Sequence, residues 1–211
     1  MGNRAIIQTR ESYENNGIGI YLHWNGGRDS VEAFLKYCEL KGYRPPDQDH
    51  YGWARLCQVI GNFFGGTLSL GITNFGKDAG EWQDNGTYII DGWKIVDRKC
   101  WDLDWDEQYE YDLTEMLLEI DEAQPVKEQL GRTFILADTV PVSELKVGDR
   151  VYVEEYYDKY RLHTVVGFGE DEIRNGRNVK GKPYVDLYDH DGDYSWNINN
   201  YIFDETIKIC G

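Results

Sequence analysis

Hydrophobic positions recur along this chain with two different periods, and the switches between them mark its elements. Ala5-Ile6-Ile7 and Gly19-Ile20-Tyr21-Leu22-His23-Trp24 are short apolar runs separated by a polar turn at Asn15-Asn16-Gly17, the pattern of two strands. Val31, Phe34, Leu35 and Cys38 then follow i, i+3, i+4, i+7 spacing, which predicts one buried face of a helix. Asp29 or Ser30 is placed to cap it, and Gly42 to end it. Pro45-Pro46 force an extended break. A second helix is expected from about Asp49 to Phe63, with Trp53, Leu56, Cys57, Ile60 and Phe64 as its buried stripe. After Gly65-Gly66, Thr67-Leu68-Ser69-Leu70 alternates as a strand. Thr87-Tyr88-Ile89-Ile90, Asp91-Gly92 and Trp93-Lys94-Ile95-Val96 read as a tight hairpin. The order is ββααβββ, which predicts an α+β domain with two helices on one face of an antiparallel sheet.

The pattern changes at Trp101. Trp105, Tyr109, Leu113, Met116, Leu117 and Ile120 recur at helical spacing up to Pro125, an arc of about 120° at ~100° per residue. Asp104 followed by Glu107 has the spacing of a capping box. Further on, Val142 to Asp149 leads into a strand at Arg150-Val151-Tyr152-Val153, and Leu162 to Phe168 forms another. Tyr184 to Tyr188 and Tyr194 to Ile198 flank a turn at Asp191-Gly192. Short strands with polar turns predict a small barrel. The expected organisation is therefore residues 1–100 as the α+β domain, 101–125 as an amphipathic connector helix and 126–211 as the barrel.

Charge sharpens this picture. The 211 residues carry 38 acidic and 22 basic groups, a net of −16. Residues 1–100 hold a net of −1 and residues 126–211 a net of −5, whereas residues 101–125 hold ten acidic and no basic groups. No basic footprint is visible, so direct binding to nucleic acid or to an anionic membrane is disfavoured. No run approaches 18 apolar residues and the N-terminus lacks an apolar signal core, so a cytoplasmic protein is expected. Cys38, Cys57, Cys100 and Cys210 form no CxxC pair, and Cys38 and Cys57 fall on helix stripes, as small core residues do.

Gly2-Asn3-Arg4-Ala5, followed by Ile20-Tyr21-Leu22-His23-Trp24-Asn25-Gly26-Gly27, resembles the opening of small bacterial and phage proteins. The likeness spans at most residues 2–98 and implies a phage or mobile-element setting. Leu145-Lys146-Val147-Gly148-Asp149-Arg150-Val151-Tyr152-Val153, with Asp189-His190-Asp191-Gly192-Asp193-Tyr194-Ser195-Trp196, resembles SH3-like or Tudor-like barrels. That resemblance implies a fold and leaves the ligand open.

Several chemical motifs are incomplete. Counted from Asp189, a calcium loop needs Gly at position 6 and Glu at position 12, where this chain has Tyr194 and Asn200. Asn25-Gly26-Gly27-Arg28-Asp29 precedes a helix but lacks the Gly-Lys-Ser/Thr of a Walker loop. His23 has no nucleophile at a telling spacing. The acidic segment is the most distinctive feature. Its carboxylates are Asp102, Asp104, Asp106, Glu107, Glu110, Asp112, Glu115, Glu119, Asp121 and Glu122, with Trp101 and Trp105 as aromatic anchors. Duplex DNA carries about one charge per 1.7 Å. About ten carboxylates on a helix ~30 Å long are sparser, yet enough to occupy a basic groove.

These features predict a non-enzymatic protein with no cofactor, no metal and no catalytic residue. The expected partner is a basic nucleic-acid-binding host protein, such as a CRISPR nuclease or a restriction enzyme, inhibited by occupation of its groove. Two alternatives stay open: a small hydrolase or nucleotide-binding enzyme with its site near His23, Asn25 and Arg28, and a phage assembly or accessory protein. A solvated connector is the plain reading of the helix itself.

Overall fold

The computed structural model describes residues 3–100, 112–155, 159–174, 177–189, 201–202 and 206–210. The protein is a mixed α+β chain that divides into two compact units, residues 1–129 and 130–211.

In the first unit, β1 (Ala5–Thr9) is followed by one helical turn, α1 (Arg10–Glu14), and by β2 (Ile18–Leu22). Then come α2 (Arg28–Leu40), α3 (His50–Phe63), β3 (Leu70–Asn74), a 3-10 segment (Lys77–Trp82), β4 (Thr87–Asp91), β5 (Lys94–Lys99) and α4 (Thr114–Glu122). The strands form one sheet in the order β3-β2-β1-β4-β5. The sequence predicts an antiparallel sheet, but β1 and β4 run parallel, Ile6 opposite Thr87 and Thr9 opposite Ile90. Long-range pairing of this kind leaves no local signature in the chain. α1 is likewise unforeseen. Thr9 caps it, accepting the Ser12 N–H.

Central β1 is buried at every position, because both sheet faces are covered. Ala5, Leu22 and Leu70 share one face by register. The Leu70 side chain there reaches Gly61 of α3. Ile6 and Thr87 lie on the other face, where the 3-10 segment brings Gly80 against the Thr87 hydroxyl. α2 ends on Gly42 (φ 67°), as left-handed glycine stops require. Asp49 caps α3, accepting the Tyr51 N–H at 2.9 Å. Its buried stripe is Gly52, Leu56, Val59 and Ile60 rather than one containing Trp53, Cys57 and Phe64. Gly52 takes part because a Cβ there would lie 2.5 Å from the Pro45–Pro46 backbone. The strand expected at 67–70 begins instead at Leu70. Gly65 and Gly66 turn the chain at φ 65° and 155°, and the Leu70 N–H bonds Thr67 O, extending the turn.

The second unit contains α5 (Arg132–Leu136), β6 (Asp138–Pro141), a 3-10 turn (Val142–Glu144), β7 (Arg150–Glu155), β8 (Lys159–Arg174), β9 (Arg177–Asp189), β10 (Tyr201–Ile202) and β11 (Thr206–Cys210). Among the described residues its strands pair in the order β10-β9-β8-β7-β11-β6, all antiparallel. Val142, Leu145, Val151, Val153, Val165, Leu187 and Ile207 form its core. Asp149 closes the entry turn by accepting the Lys146 N–H at 2.8 Å, with Gly148 at φ 99°. Among the described residues no pairing joins end strands β6 and β10, so no closed barrel is formed by those residues. The turn at Asp191-Gly192 and the run Tyr194 to Ile198 lie outside the described residues.

Candidate functional site

The described part of the acidic segment starts at Asp112, whose carboxylate accepts the Thr114 N–H at 2.8 Å and satisfies an orphan donor at the start of α4. Trp101, Asp102, Asp104, Trp105, Asp106, Glu107 and Glu110 lie outside the described residues.

α4 packs on α2 and α3 within the first unit. Leu117 and Ile120 are buried on its inner face. Beside them the Tyr37 hydroxyl of α2 donates to Asp121 Oδ1 at 2.7 Å, with both residues buried. Burial, together with the carboxylate, pushes the Tyr37 phenol far above its ordinary range. One turn on, buried Gln124 donates to Val59 O (3.2 Å) and Ile120 O (2.9 Å) and accepts from Asn62 Nδ2 (2.9 Å). Lys41, 5% exposed, donates to Glu128 O at 2.7 Å and holds the chain that follows. These bonds fix the roll of α4 about its axis.

Asp121 therefore corrects the expectation that it faces a partner: it is 4% exposed and holds the helix in place. Asp112, Glu115, Glu119 and Glu122 are exposed. The last three follow i, i+4, i+7 spacing and so form one stripe, about 10 Å long at 1.5 Å per residue. Among the described residues none of these three carboxylates pairs with a cation. Sequence reasoning missed Tyr37, Asn62 and Gln124 as the groups that orient the stripe. The available signal was position: Asp121 and Gln124 follow Leu117 and Ile120 by four residues, on the inner face.

Around His23, three side chains have partners within the chain. His23 Nδ1 lies 3.1 Å from the Tyr21 hydroxyl, and its ring meets the edge of Trp24. Arg28 pairs with Glu32 at 2.8 Å. Asp29 Oδ1 takes the Ser30 N–H at 2.7 Å, so the protein's own carboxylate occupies the start of α2 where an anion would bind. Asn25 takes φ 53°, and Gly26 fits against Asn3 O and Ala5 with no room for a Cβ.

An open groove of about 600 Å³ runs between the ends of α3 and α4, lined by Cys57, Asn62, Gly66, Thr67 and Gln124 among others. Burial pushes the Cys57 thiol up to about 11, so it is protonated at neutral pH and a weak nucleophile there. Burial also raises fully buried Cys38. Among the described residues no cluster of His, Cys, Asp or Glu has the makings of a metal site, and no helix is long and apolar enough to cross a membrane.

Comparison with protein-family models, with curated proteins and with solved structures returns no match for this chain.

Proposed function

We propose that this chain is a non-enzymatic binding protein of a phage or mobile element, and that its acidic helix occupies the basic groove in which a nuclease holds nucleic acid. The observation that carries this reading is the one-sidedness of α4. Its inner face is locked by Tyr37–Asp121 and Gln124, while Glu115, Glu119 and Glu122 stand outward as unpaired carboxylates. That stripe lies within a segment with a net of −10 over residues 101–125. A preorganised row of charge steers a basic partner and spends little conformational entropy on binding. The partner is a CRISPR nuclease or restriction enzyme of the host cytoplasm, and the row takes the place of phosphates. The SH3-like reading of residues 126–211 belongs to the same proposal. It rests on the Val147-Gly148-Asp149 turn into β7, and an experimental structure showing how β6 and β10 end tests it.

The experiment is capture from bacterial lysate on the immobilised protein at low and high salt, followed by a DNA-cleavage assay on the captured nuclease. A basic nuclease held at low salt, released at high salt and inhibited by the protein is the expected result. Capture of virion proteins instead supports an assembly role. Turnover of metabolites with no partner supports an enzyme.

A further inference from the structure

The two edges of the five-stranded sheet are built differently. Edge strand β5 carries Lys94, Asp97, Arg98 and Lys99 among its six residues, the usual protection of a sheet edge by charge. Edge strand β3 (Leu70–Asn74) carries none. It lies within a run from Leu56 to Gly76 that contains no charged residue, in a chain where 28% of residues are charged. Ile72 is 53% exposed and Leu68, just before the strand, is fully exposed.

The hydrogen-bond parity of β3 shows what this edge offers. The His23 N–H bonds Ser69 O, and the Phe75 N–H bonds Gly17 O. In an antiparallel pair these two bonds turn residues 69, 71, 73 and 75 toward β2, and residues 70, 72 and 74 away from it. Ile72 and Asn74 therefore present free N–H and C=O groups outward. Leu70 presents only its C=O, because its N–H is bonded to Thr67 O. Among the described residues no other strand pairs with this edge.

We infer that β3 is a self-association edge, and that its occupant is the β3 strand of a second copy of this chain. The outward groups are complementary to themselves about a two-fold axis at Ile72. Ile72 exchanges both bonds with its symmetry mate, and each Asn74 N–H donates to the Leu70 C=O across the axis. Only a C2, isologous pairing produces this reciprocity. Charge selects the same occupant. Two copies each carrying −16 repel, most strongly at residues 101–125, which hold ten acidic groups and no basic one. The neutral strand, next to the equally neutral end of α3, is where they approach at least cost. A basic foreign peptide finds no carboxylate on β3 to recognise. The pairing joins two five-stranded sheets into one of ten strands and leaves the acidic stripe of α4 out of the strand pairing.

The test is sedimentation of the full chain over a range of protein concentrations, at low and high salt, with amide hydrogen exchange on the same samples. The wild type is expected to reach twice its 24.6 kDa mass. Its association should tighten with added salt, because screening removes like-charge repulsion. This is the opposite sign from binding to a basic partner. Exchange at Ile72 and Asn74 should slow as the dimer fills. Ile72→Lys and Ile72→Pro should sediment as monomers with unchanged circular dichroism, and Val96→Lys on β5 should dimerise like wild type. A wild type that stays monomeric at every concentration and salt overturns the inference. So does a dimer that survives both Ile72 substitutions, or one that forms without protecting the Ile72 and Asn74 amides.

Discussion

Two carboxylates one residue apart on α4 occupy different environments. Asp121 is 4% exposed and accepts the Tyr37 hydroxyl at 2.7 Å. Glu122 lies on the outer side, in the exposed stripe with Glu115 and Glu119. Their formal charges are equal and their roles are not. A buried carboxylate is tolerable only when hydrogen-bonded, since an unpaired one costs several kcal/mol. Asp121 therefore ties α4 to α2, and the outer carboxylates stand on the surface. Charge counted along a sequence does not equal charge displayed, and the inner face decides how the outer face is presented.

The sharpest way to break this contrast is from the apolar side. Ile120 is fully buried beneath the stripe, so Ile120→Ala should lower unfolding stability by about 2–5 kcal/mol through lost burial and a cavity. Urea unfolding followed by circular dichroism measures it. A loss within the noise of a surface substitution contradicts the packing of α4. Next, Tyr37→Phe removes the donor to Asp121 and should cost about 1.5–3 kcal/mol, as bonds to charged groups do. Glu122→Gln should stay within about 0.5 kcal/mol. Equal effects of these two substitutions remove the distinction between inner and outer carboxylates.

The smallest effect lies far from α4. Arg4 forks onto Asp84 with bonds of 2.9 and 3.0 Å. Those bonds hold the Asp84 carboxyl down at about 2, against an ordinary 3.8. Its folded value is depressed, so its contribution is present above about pH 4 and disappears as pH falls toward 2. The pair is solvent-exposed, so salt screens it. Acid titrations of wild type and Asp84→Asn should differ slightly near neutrality and converge near pH 2. A difference that grows toward low pH contradicts the assignment.

Local patterns made part of this architecture legible. The stripe Val31, Phe34, Leu35, Cys38 is buried on α2. α3 runs from His50 to Phe63, within one residue of the expected span, and Asp91-Gly92 opens the turn between β4 and β5, with Gly92 at φ 59°. Each of these is fixed by neighbours within a few residues. The parallel pairing of β1 with β4 was not legible, because it joins positions about eighty residues apart and β1 is apolar on both faces. The start of β3 differs from its expected place because Thr67-Leu68-Ser69-Leu70 alternates like a strand, whereas the turn at Gly65 and Gly66 is extended by the bond from Leu70 N–H to Thr67 O. In the candidate site, the outward positions of Glu115, Glu119 and Glu122 followed from the apolar stripe. The inward position of Asp121 did not, because its partner Tyr37 lies 84 residues away.

The most direct test of the acidic face replaces Asp106, Glu107, Glu110, Glu115, Glu119 and Glu122 together by Gln, keeping length and helix propensity. Affinity for the captured nuclease is then measured from low to high salt, with circular dichroism confirming the fold. Exposed charge pairs contribute roughly 0.2–1 kcal/mol each. Six should therefore weaken binding by about tenfold to more than ten-thousandfold, and the salt dependence of the variant should flatten. If the variant folds normally and binds as tightly as wild type at every salt concentration, the stripe is a solvated surface and the groove-filling account is wrong.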